Sequence, residues 1–248
     1  IRALYYISPQ IWAWKAGRRF AMARDLDAMA VIFPFEVKCY ADTTLPVEFV
    51  GHPFVAPDYA APVRFDPSGP ILLLPGSRVQ AVKRIFPALL AGFAEFARDR
   101  PEVEAVVLYP SDDILGVLRA AHPSANVLLK KTGASAAAAA VLTSSGTMSM
   151  HCALAGIPGA ITYRTDALTY WLGRMLVKVK FLGIANLLLA EAMYPEFIQG
   201  AAQPAALAAE LRASLDDPAR RVRTVAQAAR LRALLAQPAG GTAADWLA

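Results

Sequence analysis

No Gly-x-Gly-x-x-Gly occurs anywhere in the 248 residues, so the fingerprint of a dinucleotide-binding oxidoreductase is absent and that class ranks last among the readings. Cysteine is nearly absent too. Cys39 and Cys152 stand far apart without metal-ligand spacing, which excludes a disulfide scaffold and suits two reduced thiols in a cytosolic interior. No uninterrupted apolar run reaches the roughly 18 residues of a membrane span, because Arg174, Lys178 and Lys180 break up the most hydrophobic region. A soluble or peripheral protein is expected. No signal peptide is recognisable, an initiator Met is lacking, and the chain opens directly on the strand-like Leu4-Tyr5-Tyr6-Ile7-Ser8; an N-terminal portion is therefore expected to be missing. Charged residues make up only 18% against 56% apolar, which excludes disorder. The net charge of +5 is compatible with an anionic partner such as a nucleotide or phospholipid, and its even spread argues against nucleic acid.

Local absence of charge marks the stretch around which the chain is organised. Residues 132–163 contain no Asp, Glu, Lys or Arg. Within them the apolar run from Ala138 to Leu142 reads as a buried strand, Met148 to Ala155 as a short helix, and Ser145-Gly146-Thr147 as the turn between. Ser145 or Thr147 can cap that helix, and Gly146 lets a ligand approach the backbone without a side chain in the way. The first helical turn lacks the acids that ordinarily complement a helix dipole. A phosphate or sugar could occupy that place; a capped helix in an α/β core reads equally well, since such turns recur throughout the fold class.

At 248 residues the chain has room for one large domain or two modest ones. From the start, Leu4 to Ser8 reads as a strand, Lys15 to Leu26 as a basic helix, Ala28 to Phe33 as a strand, Phe35 to Tyr40 as a short helix, and Val47 to Val50 as a strand. Trp12 and Trp14 flank a turn, where they either pack an apolar edge or meet a ligand. Pro53 leads into residues 54–70 and Pro57, Pro62, Pro67 and Pro70 punctuate them, so the stretch reads as an interdomain linker. A second strand–helix alternation opens with Ile71-Leu72-Leu73-Leu74, the continuous apolar run of a parallel sheet. Pro75-Gly76-Ser77-Arg78 follows: Gly76 permits a tight turn, Ser77 can cap the helix Gln80 to Arg98, and Arg78 sets a guanidinium at a helix N-terminus. A cation there is unfavourable unless an anion sits nearby, and Arg with phosphate forms paired charge-assisted hydrogen bonds; a solvent-exposed loop Arg is the plain alternative. Both glycine turns follow strand C-termini and can line one crevice.

Strands from Val103 to Tyr109, Asn126 to Leu129 and Ala160 to Tyr163, with a helix from Asp113 to Ala121 and an alanine-rich segment from Ala134 to Ala140, continue the alternation. Asp166 can cap a helix whose residues Leu168, Tyr170, Trp171, Leu172, Met175, Leu176 and Val177 are apolar on nearly every face. Such a helix is deeply buried or shared with another subunit or a membrane surface, and Arg174, Lys178 and Lys180 keep anionic lipid among the candidates. Asn186 is expected to open the next helix as a cap, with ligand contact a second option. Pro204 to Ala236 and Ala243 to Leu247 read as surface helices, broken at Asp216-Asp217-Pro218. Asp25-Leu26-Asp27 spells a metal-type Asp-x-Asp but ends a basic helix and reads as a solvated face. His52 and His122 have no second ligand near them in sequence and read as structural.

Taken together, Tyr6-Ile7-Ser8-Pro9-Gln10-Ile11-Trp12-Ala13-Trp14, Phe33-Pro34-Phe35-Glu36, Phe49-Val50-Gly51-His52-Pro53, Leu74-Pro75-Gly76-Ser77-Arg78, Ser145-Gly146-Thr147, and Leu168-Thr169-Tyr170-Trp171 through Lys178 with Asn186-Leu187-Leu188 resemble the lipid-A-disaccharide synthase family. The motifs occur in that family's order and span nearly the whole chain. The resemblance implies an α/β protein of GT-B type with two Rossmann-like parallel-sheet domains. Residues 1–60 would be the remnant of an N-terminal acceptor-side domain, and residues 61–248 the nucleotide-sugar-binding domain with C-terminal helices. It implies an inverting hexosyltransferase that moves 2,3-diacylglucosamine from its UDP derivative to 2,3-diacylglucosamine 1-phosphate, without cofactor or metal. UDP-diacylglucosamine would be the donor partner and an acylated glucosamine phosphate the acceptor. The protein would sit in the cytoplasm, peripheral to the inner membrane, with a homodimer as an option and no nucleic acid.

Carried over residue by residue, the resemblance gives Gly76, Ser77 and Arg78 to the UDP phosphates, Ser145, Gly146 and Thr147 to the diphosphate or uridine side, and Asn186 to the nucleotide. Where the family commonly has a Glu suited to ribose hydroxyls, this chain has His151, which forms at most one such hydrogen bond at a time. The catalytic base is expected in the missing N-terminal segment. Two alternatives share the fold: a UDP-sugar-binding non-catalytic paralogue, and a sugar-nucleotide epimerase, for which His151 is the best support.

Overall fold

The computed structural model describes residues 1–166, 180–236 and 243–247. They divide into two compact units, a smaller one that contains Ile1–Tyr59 and a larger one that contains residues 60–166 and 180–231. In the smaller unit β1 (Leu4–Tyr6), β2 (Ala28–Val31) and β3 (Val47–Phe49) form a parallel sheet in the order β1-β2-β3, with helix α1 (Arg18–Asp25) between the first two strands. Both leading elements are shorter than expected. Ile7 (φ 68°) and Lys15 (φ 56°) are left-handed, which ends the first strand early and delays the helix. Ile11, Met29, Val31, Tyr40 and Leu45 form this unit's buried cluster.

The larger unit begins inside the expected linker. β4 (Val63–Phe65) pairs with β8 (Ala136–Ala138), so residues 54–70 are not structureless: the prolines flank the short strand and leave its ladder donors free. Its main sheet holds β5 (Ile71–Leu74), β6 (Ala105–Tyr109), β7 (Val127–Lys131), β9 (Ala140–Ser144), β10 (Gly159–Tyr163) and β11 (Glu196–Ile198), all parallel, in the order β11-β10-β9-β5-β6-β7. All four residues of β5 are buried, as a strand covered on both faces requires. From β5 the chain winds one way through β6 and β7, then returns to β9 and winds the other way. The strand order therefore reverses between β5 and β9, where an open parallel sheet leaves a crevice beyond its strand C-termini.

Helices α2 (Val79–Ala97), α3 (Asp112–Ala120), α4 (Thr147–Leu154), α5 (Ile184–Leu189), α6 (Pro204–Asp216), α7 (Pro218–Leu235) and α8 (Ala243–Leu247), with short 3-10 helices at Pro34–Tyr40, Pro53–Val55 and Gln199–Ala201, complete the described elements. α6 is more than a surface helix, because Leu207, Ala208 and Leu211 join the core built by Ile85, Phe86, Leu89, Phe93 and Phe96 of α2. Gly92 is what lets the two helices approach: a Cβ there would lie 2.6 Å from Leu207 Cβ. Parallel sheets with helical crossovers in both units are the α/β, GT-B-type class implied by the sequence. No described helix is long and apolar enough to cross a membrane. The apolar helix expected from Leu168 to Val177, with Arg174 and Lys178, lies outside the described residues.

Candidate functional site

The first corner of the site follows β5. Gly76 has φ +110°, and a Cβ on it would lie 3.2 Å from Ser144 Oγ at the end of β9. Glycine is needed here for both the backbone and the close approach of the two corners. Arg78, with φ −104° and ψ 127°, is the N-cap of α2, and no side chain caps that helix. Ser77, expected in that role, is instead exposed. Neither α2 nor α4 has an acidic residue in its first turn.

The second corner follows β9. Ser145 does not cap α4: its hydroxyl donates to the Leu182 carbonyl at 2.9 Å and ties the turn to the segment before α5. Nor does Thr147, because Gly146 is the N-cap and Ser149 Oγ donates back to the Gly146 carbonyl at 2.6 Å. Gly146 is extended (φ 173°), and a Cβ on it would meet no heavy atom within 4 Å. Unlike Gly76, it is demanded neither by backbone strain nor by a neighbour. Gly146 N donates to Ser149 Oγ at 3.4 Å and Ser149 N to the Gly146 carbonyl at 3.1 Å; the N–H groups of Thr147 and Met148 lie in the first turn, where a helix offers no intrahelical acceptor and the dipole is positive.

Both corners line one cavity of about 590 Å³. Gly76, Ser77, Arg78, Ser145, Gly146 and Thr147 all face it, so the switch point of the sheet brings six of the candidate residues together. Leu108, Pro110 and Thr132 close it at the β6–β7 end, and Tyr163, Arg164 and Thr165 at the β10 end. The volume matches that of small-molecule sites. Arg78 makes no ion pair among the described residues, whereas Arg84, also in the wall, pairs with Asp166 at 3.2 Å. Arg164 was not singled out in the sequence. The signal was there: it is the first charge after the uncharged stretch 132–163.

His151 and Asn186 are not in the cavity lining. His151 is 6% exposed within α4, and burial lowers its pKa, which keeps the imidazole neutral. The epimerase alternative loses its best support with that placement. Asn186 is inside α5 rather than at its cap, which is Gly183. Its Nδ2 donates to the Tyr194 carbonyl (2.7 Å) and Glu196 Oε1 (2.8 Å), and its Oδ1 accepts from Tyr194 N (2.9 Å). Glu196 also accepts from Leu182 N and Gly183 N, both at 2.9 Å. Asn186 and Glu196 thus fix the segment that Ser145 grips.

Elsewhere, Asp25 pairs with Arg24, and Asp27 accepts from Ala3 N, so the Asp-x-Asp carboxylates do not converge. His52 is buried, its Nδ1 accepting from Phe54 N at 3.1 Å, and His122 is exposed in a left-handed turn after α3. Trp12 donates to Glu36 at 3.3 Å and packs edge-on against Phe35, while Trp14 is exposed beneath the Lys15 ammonium.

Comparison with known proteins gives this geometry a context. A family model described as lipid-A-disaccharide synthetase matches residues 1–240. The lipid-A-disaccharide synthase of Geobacter metallireducens is 39% identical over 94% of this chain and 64% of its own length. That of Geobacter sulfurreducens is 36% identical over 88% of this chain and 61% of its own, and that of Nitrosococcus oceani 34% identical over 89% and 61%. The chain thus spans a little under two thirds of these relatives. Among solved structures, one described as the crystal structure of TarM shares the fold with a TM-score of 0.50 and 11% identity, over 91% of this chain and 44% of that one.

Proposed function

The chain belongs to the lipid-A-disaccharide synthase family, and from that membership we propose that the protein is an inverting hexosyltransferase of lipid A assembly. It moves 2,3-diacylglucosamine from its UDP derivative to 2,3-diacylglucosamine 1-phosphate, releasing UDP and the β-1,6-linked disaccharide. The observation that carries the proposal is the pair of glycine corners at the reversal of strand order, which line one cavity of about 590 Å³. Gly76, Ser77 and Arg78 hold the donor's phosphates from one side. Ser145, Gly146 and Thr147, opening α4, hold them from the other. As an acceptor hydroxyl attacks the anomeric carbon, its proton passes to a base, the glycosidic bond to UDP breaks, and negative charge grows on the departing diphosphate. The Arg78 guanidinium and the α4 N-terminus meet that charge with dipoles already in place.

Residues 1–60 belong to the acceptor side in this reading, and residues 61–248 to the nucleotide sugar. Asn186 serves at one remove, by fixing the segment to which Ser145 is bonded. Both substrates carry acyl chains, so the reaction is placed at a membrane surface, with the protein peripheral to the cytoplasmic face of the inner membrane. The net charge of +5 suits anionic lipid there. The test is incubation of the protein, at the full length of its relatives, with UDP-diacylglucosamine and the acylated sugar phosphate. Disaccharide plus UDP is expected; UDP with an altered monosaccharide, or binding without turnover, overturns the proposal.

A further inference from the structure

We propose that Arg164 is a second cationic arm of the diphosphate site, facing the anion from the side opposite Arg78. The inference rests on reading the cavity as a nucleotide-sugar site and assigns to that site a residue at the end of a third strand. In the sheet, β10, β9 and β5 are consecutive parallel neighbours. Their C-terminal ends carry, in that order, Arg164, the turn that opens α4, and Arg78. All three line the cavity. An anion at the α4 N-terminus therefore has a guanidinium from the strand on either side, an arrangement suited to two linked phosphoryl groups rather than one.

The surroundings of Arg164 leave its charge to be answered by a ligand. Its Nη2 donates to the Ala202 carbonyl at 2.8 Å, while its Nε is buried without a hydrogen-bond partner among the described residues. No carboxylate pairs with it among the described residues. Arg84, in the same wall, has Asp166. A sheltered cation without a counter-charge is costly to the folded protein, and an anion in the cavity relieves that cost. The guanidinium is also held in place before a ligand arrives. Gln199 clamps the adjacent backbone through both ends of its amide, Oε1 accepting from Thr165 N and Nε2 donating to the Thr165 carbonyl, each at 2.9 Å. Little side-chain or loop entropy then remains to be lost on binding, which favours affinity.

The experiment is calorimetric titration of the chain and of its Arg164→Gln and Arg164→Lys variants with UDP, UMP and uridine, alongside thermal melting. Gln removes the charge while keeping a polar N–H near the position of the Arg164 Nε, and Lys keeps the charge without the planar fork. Arg164→Gln is expected to weaken UDP at least about tenfold, the scale of one charge-assisted contact. Arg164→Lys should lose less, UMP should lose less than UDP, and uridine should be unaffected. UDP affinities within twofold of the unsubstituted chain in both variants overturn the assignment of Arg164 while leaving the cavity reading intact; so does an equal loss for uridine. If Arg164→Gln fails to fold, Arg164→Lys alone decides by the same criterion. Absence of UDP binding by the unsubstituted chain overturns the cavity reading itself, and this inference with it.

Discussion

Replacing Gly146 with alanine separates what the fold requires of that position from what a ligand requires. Its backbone is extended at φ 173°, open to any residue, and the new Cβ meets no heavy atom within 4 Å. Alanine is a poorer N-cap than glycine, at a cost of about 0.5–1 kcal/mol. The variant's unfolded chain is also stiffer, which returns about 0.4–1 kcal/mol. The two nearly cancel, so the melting midpoint should move by no more than about 2 °C. Binding should respond differently. The methyl stands at the opening of α4, where a phosphoryl oxygen must come within about 3 Å of backbone N–H groups. Loss of one charge-assisted hydrogen bond of about 1.5–3 kcal/mol weakens binding roughly ten- to 150-fold. The assay is UDP calorimetry on Gly146→Ala together with its melting curve. Unchanged melting with UDP affinity within twofold of the unsubstituted chain would refute the reasoning, because the glycine would then be answering to neither fold nor ligand.

Two further perturbations address the scaffold. Burial pushes the Glu36 carboxyl up from 4.5 to about 7, partly offset by hydrogen bonds from the Phe33 N–H and the Trp12 indole. The folded state therefore binds that proton more tightly than the unfolded chain. The carboxyl's contribution is most favourable below about pH 4.5 and falls by about 3 kcal/mol as pH rises to 7. Denaturant titrations of the unsubstituted chain and of Glu36→Gln from pH 5 to pH 8 should converge or cross in the variant's favour as pH rises; parallel profiles count against the assignment. Gly92→Ala puts a methyl 2.6 Å from Leu207 Cβ, which forces α6 away from α2 at a net cost of about 1–2 kcal/mol. Its melting midpoint should fall by a few degrees with UDP affinity unchanged, and an unchanged or raised midpoint contradicts the packing argument.

What the sequence displayed and what it hid divide along physical lines. Ile71–Leu74 was visible residue for residue because a strand buried on both faces needs an uninterrupted apolar run. The two corners were visible because each glycine stands within a few residues of the end of such a run and just before a helical pattern, the place of a strand-to-helix turn. β11 was not, since Glu196-Phe197-Ile198 is three residues with an acid first and carries no period. β4 hid among prolines that normally forbid a ladder, and its short pairing with β8 depends on residues some seventy positions away. Capping failed for a related reason. Ser145 has the chemistry of a cap but gives its hydroxyl to Leu182, 37 residues on, and Asn186 gives its amide to Tyr194 and Glu196. Propensity describes what a side chain can do locally, and tertiary partners decide what it does. Arg164 stood at the end of the uncharged stretch, but only the strand order puts it on the far side of the α4 turn from Arg78.

The central claim is that a nucleotide diphosphate binds where the strand order reverses. A crystal structure of the chain with UDP tests it most directly. The account predicts the diphosphate between Arg78 and Arg164 at the start of α4, with Gly146 in contact. UDP bound elsewhere on the chain, with this cavity holding only solvent, would contradict it.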